Sequence, residues 1–384
     1  LQLVDEPSDS PFFNVFETIP ANIEDRSEIR EKAIQVISED VIPAYYEFRD
    51  FFVNEYLPAS RASIGVADLP DGKAWYENLA RYHTSTELMP EEIHQIGISE
   101  VKRIRSEMNK IIKRVGWEGT FDEFLNFLRT DPQFYYETSE ELFQAYLATS
   151  KELDPRIVPL FKVLPRMPYG IKPIPIESAP DTTTAYYMRP SADGSRAGYY
   201  YVNLYKPEVR PKYEIEVLSV HEAVPGHHLQ IALAMEIENI PNFRKYSGYT
   251  AYIEGWGLYS ESLGYDMGLY QDPYSEFGAL TYDMWRAIRL VVDTGMHYKG
   301  WSRDEAIAFF KENAAKTEQD IINEVDRYLV MPGQALAYKI GQLKIMQLKD
   351  KSMTLLGDKF DIKEFHHVIL GEGALPLDIL EEKV

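Results

Sequence analysis

The sequence contains no cysteine, and this absence excludes thiolate metal ligands, a cysteine nucleophile and disulfide bonds. It also lacks any apolar run of about 18 residues, the minimum for a transmembrane helix. Positive charge is in deficit, because 61 acidic residues outnumber 40 lysines and arginines and give a formal net charge of -21. Such a balance argues against binding to nucleic acid or to anionic membrane surfaces.

The pattern of apolar residues predicts a mainly α-helical protein. The chain has 384 residues and a hydrophobic content of 45%, enough for a large core. Apolar residues recur at helical spacing in three segments of residues 1–165, namely 27–56, 91–115 and 139–153, and again over residues 215–384. Alternating, β-rich segments separated by turn residues fill residues 166–214. We therefore expect a single catalytic domain over residues 1–384, with a small antiparallel sheet directly before a helical portion that carries a metal site.

The richest cluster of chemically active residues is the segment His-Glu-Ala-Val-Pro-Gly-His-His, which runs from His221 to His228. It resembles the His-Glu-x-x-His zinc signature, in which two histidines share one helix face and the glutamate acts as general base. Here Pro225 occupies the position of the second histidine, and a proline followed by glycine should kink the helix. A bulge would bring His227 onto the face of His221, whereas a regular helix would bring His228 there. Both remain candidate ligands on spacing alone, and Glu222 is the candidate general base.

The third ligand is expected on a second helix, as in zinc sites built from two histidines and one glutamate. Glu254 and Glu261 lie seven residues apart and therefore on one helix face. We assign Glu254 as the ligand and Glu261 as a residue that orients a ligating histidine.

Several separate motifs resemble the bacterial domain-of-unknown-function 885 family. The first is His-Glu-x-x-Pro-Gly-His-His, and the second is the Glu-Gly-Trp-x-Leu-Tyr segment that begins at Glu254. The agreement extends through three later segments, Arg289–His297, Pro332–Gly341 and Gly373–Leu377. The resemblance covers nearly the whole chain and includes a relationship to helical zinc peptidases such as angiotensin-converting enzyme and thermostable carboxypeptidases.

This resemblance implies one zinc ion per chain, a helical fold and hydrolysis of short peptides. In the family pattern the first histidine after Pro-Gly is the more regular feature, which favours His227 over His228 as a ligand. Family members are generally longer at the N-terminus, and many are exported, some as lipoproteins. The chain starts at Leu1 with no visible signal peptide. We therefore expect that a native N-terminal portion is missing and that the protein is exported or belongs to the cell envelope, with a cytoplasmic location as the alternative.

A polar stripe of Arg289, Asp293 and His297 recurs every four residues on an otherwise apolar helix. His297 is a candidate hydrogen-bond donor to the oxyanion of a tetrahedral intermediate, with Asp293 fixing its tautomer or supporting a zinc-bound histidine. Arg289 is a candidate ligand for a substrate carboxylate. The alternative for Arg289 is a buried ion pair that ties helices together.

Three further residues are candidates for contact with substrate. Tyr338 follows a Pro-Gly turn and is the candidate second oxyanion donor, and Gln334, one turn earlier, is expected to contact the substrate main chain. Tyr187 lies in a predicted strand, and an exposed edge strand beside a metal helix can hold an extended peptide. We assign the histidine pair His366-His367 to structure.

The sequence thus predicts a zinc-dependent metallohydrolase, specifically a peptidase, in which Glu222 accepts a proton from an activated water molecule. A non-haem iron oxygenase uses the same ligand types, but Glu222 would be surplus to it. A non-catalytic metal-containing binding protein is the third interpretation.

Overall fold

The computed structural model describes residues 4–246 and 248–384, and it divides the chain into two compact units, Leu1–Ser63 and Ile64–Val384. The first unit consists of short helices joined by two π-helical segments, Ile37–Val41 and Phe52–Tyr56. Its α-helices are α1 (Asn14–Glu17), α2 (Arg26–Val36), α3 (Ile42–Phe51) and α4 (Leu57–Ala59).

The second unit contains every residue of the candidate site. Its α-helices are, in chain order, α5 (Gly72–Thr84), α6 (Pro90–Arg114), α7 (Phe121–Thr130), α8 (Ser139–Arg156), α9 (Ile215–Glu222), α10 (His227–Glu236), α11 (Asn242–Tyr246), α12 (Thr250–Asp266), α13 (Pro273–Tyr298), α14 (Arg303–Asn313), α15 (Glu318–Val330), α16 (Leu336–Leu356), α17 (Ile362–Leu370) and α18 (Leu377–Lys383). The predicted helical fold is confirmed. Within the described parts of the chain, no helix combines the length and the apolar character needed to cross a membrane.

Local sequence signals explain where several of these helices begin. In a capping box, the side chain of a threonine or serine accepts a hydrogen bond from the backbone N–H of a glutamate three positions later. The side chain of that glutamate accepts a hydrogen bond from the backbone N–H of the threonine or serine. Both N–H groups would otherwise be unpaired. Such capping boxes begin α7 at Thr120 and Glu123, α8 at Thr138 and Glu141, and α14 at Ser302 and Glu305.

Helix α13 is the centre of the second unit. Every residue from Phe277 to His297 except Asp283 is buried, so this helix is surrounded by other elements along most of its length. It packs along α6, while α12 packs along α16. Burial of so long an apolar helix contributes to the hydrophobic core, and it also requires the polar residues on α13 to find partners inside the protein.

The small sheet precedes the metal helices, as predicted, and has three strands: β1 (Tyr169–Pro173), β2 (Ala185–Met188) and β3 (Gly198–Val202). Their order is β1-β3-β2, with β2 at an edge. The β2–β3 pair is antiparallel, but β1 pairs with β3 in parallel, so the prediction of an entirely antiparallel sheet was wrong for this pair. Alternating residues specify strand faces but not strand direction, and β2 lies between β1 and β3 in sequence, which leaves enough chain for a parallel crossover.

Candidate metal site

The predicted kink after His221 is a complete break between two helices. Helix α9 ends at Glu222, and α10 begins at His227. The Gly226 N–H donates to the Val220 carbonyl oxygen over 3.0 Å, which closes a tight loop between the helices. A Cβ atom at Gly226 would lie 1.9 Å from the His221 carbonyl oxygen, so only glycine fits there. The Pro-Gly pair thus returns His227 to the side of His221.

Helix α12 lies directly against this loop and completes the site. The Trp256 indole N–H donates to the Pro225 carbonyl oxygen over 2.8 Å. One residue later, a Cβ atom at Gly257 would lie 2.7 Å from Cε1 of His221, so the absence of a side chain makes room for the imidazole ring. These contacts bring Glu254, on the same helix, to the two histidines.

His221, His227 and Glu254 form one compact group. Each offers a ligand atom, and these atoms all lie within 4.8 Å of one another. Oε2 of Glu254 is 3.8 Å from Nε2 of His221 and 3.4 Å from Nε2 of His227. His227 Nδ1 is buried and has no hydrogen-bond partner among the described residues. Two imidazoles and one carboxylate are a donor set that suits zinc with one coordination position left open. The residues therefore fit the predicted ion.

The electrostatics of the group favour a cation. Burial alone would lower the pKa of His221, but hydrogen bonds to Glu254 and Glu261 raise the pKa to about 9. Burial would raise the pKa of Glu254, but the positive charges of His227 and His221 and their hydrogen bonds hold the pKa well below its usual range. Metal binding would replace protons held by this group, as is general for sites with histidine ligands.

Glu261 lies where a residue that orients a ligand should be. Its Oε1 is 2.8 Å from Nδ1 of His221, which leaves Nε2 of that ring directed at Glu254. Nη2 of Arg286 lies 3.4 Å from the same Glu261 oxygen. A carboxylate that accepts the second N–H of a ligating histidine fixes the tautomer and raises the basicity of the ring.

Glu222 is the predicted general base. It lines the same cavity as the three candidate ligands, and its side chain is only 8% exposed. Its Oε2 is buried without a hydrogen-bond partner among the described residues. Buried polar atoms are normally satisfied, so this oxygen is available for a water molecule or a substrate group.

The candidate ligands open onto a cavity of about 410 Å³, within the size range of small-ligand pockets. Residues 183–187, which include most of edge strand β2, line it. Arg289 and Tyr338, two of the candidates for contact with substrate, line it as well, and the guanidinium carbon of Arg289 lies 4.3 Å from the centre of the Tyr338 ring. The metal group, the edge strand and these two residues therefore share one space.

His228 takes a different position from His227. Its Nδ1 is 2.9 Å from the hydroxyl of Tyr187, and burial lowers the pKa of His228 to about 4. It is not a member of the group that can hold an ion among the described residues. His228 instead holds Tyr187, which lines the cavity. The geometry therefore favours His227 of the two alternatives.

His297 and Asp293 lie away from this cavity. Nδ1 of His297 accepts the Val66 N–H at 3.3 Å, and its Nε2 donates to the Tyr328 carbonyl oxygen at 3.0 Å, so neither ring nitrogen remains for an oxyanion. Asp293 accepts hydrogen bonds from the Tyr76 hydroxyl and the Gly333 N–H rather than from a zinc-bound histidine. The expected catalytic roles of this pair are corrected to structural ones, because the pair faces the packed core.

The amide oxygen of Gln334 accepts from Nη1 of Arg327 over 3.0 Å. This bond supports a cavity residue, and the expected contact of Gln334 with the substrate main chain stays a prediction. Sequence reasoning overlooked three charged residues that line the cavity, Arg286, Glu324 and Arg327. The spacing of these residues could have indicated a charged surface. Arg286 and Arg289 share a face of α13, and Glu324 and Arg327 share a face of α15.

One comparison with known proteins identifies a family for this chain. The model of bacterial proteins of unknown function, DUF885, matches residues 2–384. No curated protein matches the chain. A crystal structure of a candidate lipoprotein from Colwellia psychrerythraea is 36% identical with a TM-score of 0.94 and covers 98% of this chain. The chain spans 66% of that protein, just under two thirds.

Two further structures are less similar in sequence. A candidate lipoprotein of unknown function from Shewanella oneidensis is 17% identical, with a TM-score of 0.73, and the match covers 96% of this chain and 69% of that one. The M32 carboxypeptidase from Deinococcus radiodurans R1 is 12% identical, with a TM-score of 0.44, and the match covers 98% of this chain and 88% of that one.

Proposed function

The chain belongs to the DUF885 family of bacterial proteins, and we propose that it is a zinc-dependent hydrolase that cleaves short peptides. The observation that carries this proposal is the convergence of His221, His227 and Glu254 in one cavity with Glu222, whose buried Oε2 has no hydrogen-bond partner among the described residues. An oxygenase needs the three ligands but has no use for the adjacent acid. A structural zinc site usually has four protein ligands, and the group here has three.

The residues have distinct roles in this mechanism. His221, His227 and Glu254 would hold the metal, and Glu261 keeps the His221 ring in place. A bound zinc ion would lower the pKa of a water molecule and polarise the carbonyl group of the substrate. Glu222 accepts a proton from the attacking water and passes it to the amine as the C–N bond breaks, so that water supplies OH to the acyl product and H to the leaving group.

We assign Tyr338, which lines the cavity, to stabilise the negative charge that develops on the carbonyl oxygen. Burial raises the pKa of its phenol, and the negative charge of Glu254 adds to this effect, so the hydroxyl keeps its proton at neutral pH. A protonated hydroxyl can donate a hydrogen bond, and one such donor contributes about 10²–10³ in rate in well-studied sites. The proposal therefore keeps Tyr338 as the oxyanion donor and omits His297.

Strand β2 offers a means to hold the peptide. It lies at an edge of the described sheet, and residues 183–187 line the cavity. An extended peptide can add to such an edge through main-chain hydrogen bonds, which bind without regard to side-chain identity. Tyr187, held by His228, would then contact the bound peptide.

We further propose that the protein is exported or belongs to the cell envelope. The support is that two similar solved proteins are described as candidate lipoproteins. Fractionation of the native organism, with detection by an antibody, would test this location.

The proposed activity is tested with zinc-loaded protein and a mixed library of short peptides, with products identified by mass spectrometry. We expect cleavage by the wild type and a loss of about 10²–10⁴-fold in Glu222→Gln, with zinc retained. The control is Glu208→Gln, an exposed change that should leave the rate unaltered. Full activity in Glu222→Gln, or no cleavage of any peptide by the zinc-loaded wild type, would contradict the proposal.

A further inference from the structure

Three arginines line the cavity that contains the candidate metal group: Arg286 and Arg289 from α13, and Arg327 from α15. We refer to them as the arginine cluster. Arg286 and Arg289 are each only 5% exposed. Because a buried charge is costly unless it is paired, the partners of each guanidinium indicate whether the cluster is complete or awaits a ligand.

The cluster has fewer acidic partners than charges. Arg286 is paired with Glu261, the residue that also binds His221. Arg289 and Arg327 share a single carboxylate, since their Nη2 atoms lie 3.1 Å and 3.0 Å from the same oxygen of Glu324. Burial would raise the pKa of Glu324, but Arg289 and Arg327 lower this pKa to about 2, so the carboxylate is fully ionised at neutral pH. Its single negative charge offsets only one of the two arginine charges.

The other acids at the cavity do not cancel this surplus. Glu254 belongs to the metal group and Glu222 lines the same cavity, so a divalent cation held there would offset their charges. The arginine pair therefore has a net positive charge in a cavity lined mainly by uncharged residues.

Arg289 is held in a fixed orientation and keeps an unused donor. Its Nε donates to the Tyr328 hydroxyl at 2.8 Å, and that hydroxyl donates to Glu324 at 2.6 Å. Nη1 of Arg289 is buried and has no hydrogen-bond partner among the described residues. A guanidinium held in this way is organised in advance for a planar anion, and carboxylates match its geometry.

We infer that Arg289 and Arg327 bind the free C-terminal carboxylate of the peptide, so that the enzyme acts from the C-terminal end of its substrates. This inference rests on the proposed peptidase function and specifies its substrate class. A cavity of about 410 Å³ holds only a small ligand, and the C-terminal carboxylate is the one anion that every short peptide with a free end carries. Arg286, already engaged by Glu261, supports the metal ligand instead.

The test compares peptides that differ only at the C-terminus. A library of N-acetylated short peptides is made as free acids and as amides, and zinc-loaded Glu222→Gln is used to select binders, which are quantified by mass spectrometry. We expect the acids to bind about 10- to 100-fold more tightly, since charged hydrogen bonds are lost in the amides. The wild type should cleave the acids and leave the amides intact.

Arg327→Gln should reduce the preference for the acid about 10-fold or more, and Arg327→Lys should restore part of it. The matched control is Arg303→Gln, which removes a surface arginine paired with Asp326 and should not alter the preference. Circular dichroism would confirm that each variant is folded. We choose Arg327 because it is less buried than Arg289, so its replacement should disturb the folded structure less.

The outcomes separate the two proposals. Equal binding and cleavage of acids and amides would overturn the role of the arginines while leaving the peptidase intact. Preferential binding of acids without any cleavage would contradict the peptidase proposal and retain carboxylate recognition. Binding that depends on an acidic side chain rather than on the C-terminus, or no binding of either form, would overturn the inference.

Discussion

Two buried histidine regions of the second unit differ in how their polar atoms are satisfied. In the first, His221 and His227 lie beside Glu254, and Nδ1 of His227 has no hydrogen-bond partner among the described residues. In the second, His297 has both ring nitrogens bonded to backbone groups, one from Val66 and one from Tyr328. Both regions combine histidine with an acid on apolar helices, so their sequences suggest similar chemistry.

The difference shows what distinguishes a binding site from a stabilising contact. A histidine whose nitrogens are both bonded to backbone holds elements together and has nothing left for a ligand. A histidine that faces carboxylates and a cavity retains a nitrogen for a metal. The following predictions test this distinction, beginning with the change of largest effect.

The sharpest contrast lies between two adjacent residues. His227→Ala should weaken zinc binding by more than about 100-fold, because it removes a ligand rather than a supporting residue. His228→Ala should retain zinc, since that ring bonds to Tyr187 instead. Competition with a fluorescent chelator measures both affinities. Retention of zinc by His227→Ala together with its loss in His228→Ala would reverse the assignment.

The next effect concerns the residue behind His221. Glu261→Gln removes the negative charge beside Nδ1 of His221 and should reduce zinc affinity about 10–100-fold. Glu276→Gln, which changes an acid that pairs with Arg114, is the control and should not alter the affinity. An unchanged affinity in Glu261→Gln would show that this carboxylate has no part in the site.

The stabilising region should respond in stability rather than in metal binding. His297→Ala leaves the Val66 N–H and the Tyr328 carbonyl unsatisfied and creates a cavity, so we expect a loss on the order of 2–5 kcal/mol in unfolding free energy. Urea unfolding measures the loss, and elemental analysis should give the same zinc content as the wild type. Loss of zinc from a folded variant would place His297 in the metal site after all.

A third buried histidine extends the comparison to pH. His366 accepts from the Tyr259 hydroxyl and donates to the Leu160 carbonyl, and burial lowers its pKa from 6.5 to about 4. His366 therefore binds a proton more readily in the unfolded chain than in the folded protein. As a result, the free energy of unfolding should fall by up to about 3 kcal/mol as pH decreases from about 6.5 towards 4.

His366→Gln should reduce this pH dependence, and urea unfolding between pH 7 and pH 4 would measure it. Some dependence should persist, because His228 also has a lowered pKa. An identical slope in wild type and variant would mean that His366 is not the group responsible.

The sequence predicts those parts of the site that local geometry determines. The break after Glu222 follows from Pro225 and Gly226, and the placement of Glu254 beside the histidines follows from its motif. The choice between His227 and His228 could not be made from spacing, because it depends on the geometry of the break between α9 and α10.

The errors arise where the answer depends on distant parts of the chain. A polar stripe on α13 shows which residues share a face, but not that His297 meets Val66, 231 positions away. The arginine cluster depends on contact between α13 and α15, which no local pattern contains. The parallel pairing of β1 with β3 is also a long-range choice.

The most direct test of the metal site is the zinc content of the purified protein after chelation and reconstitution, compared with that of Glu254→Ala. We predict about one zinc ion per folded wild-type chain and a large loss in the variant, with circular dichroism showing that both are folded. No stoichiometric zinc in the wild type, full retention in Glu254→Ala, or a preference for iron accompanied by oxygen uptake would contradict the account.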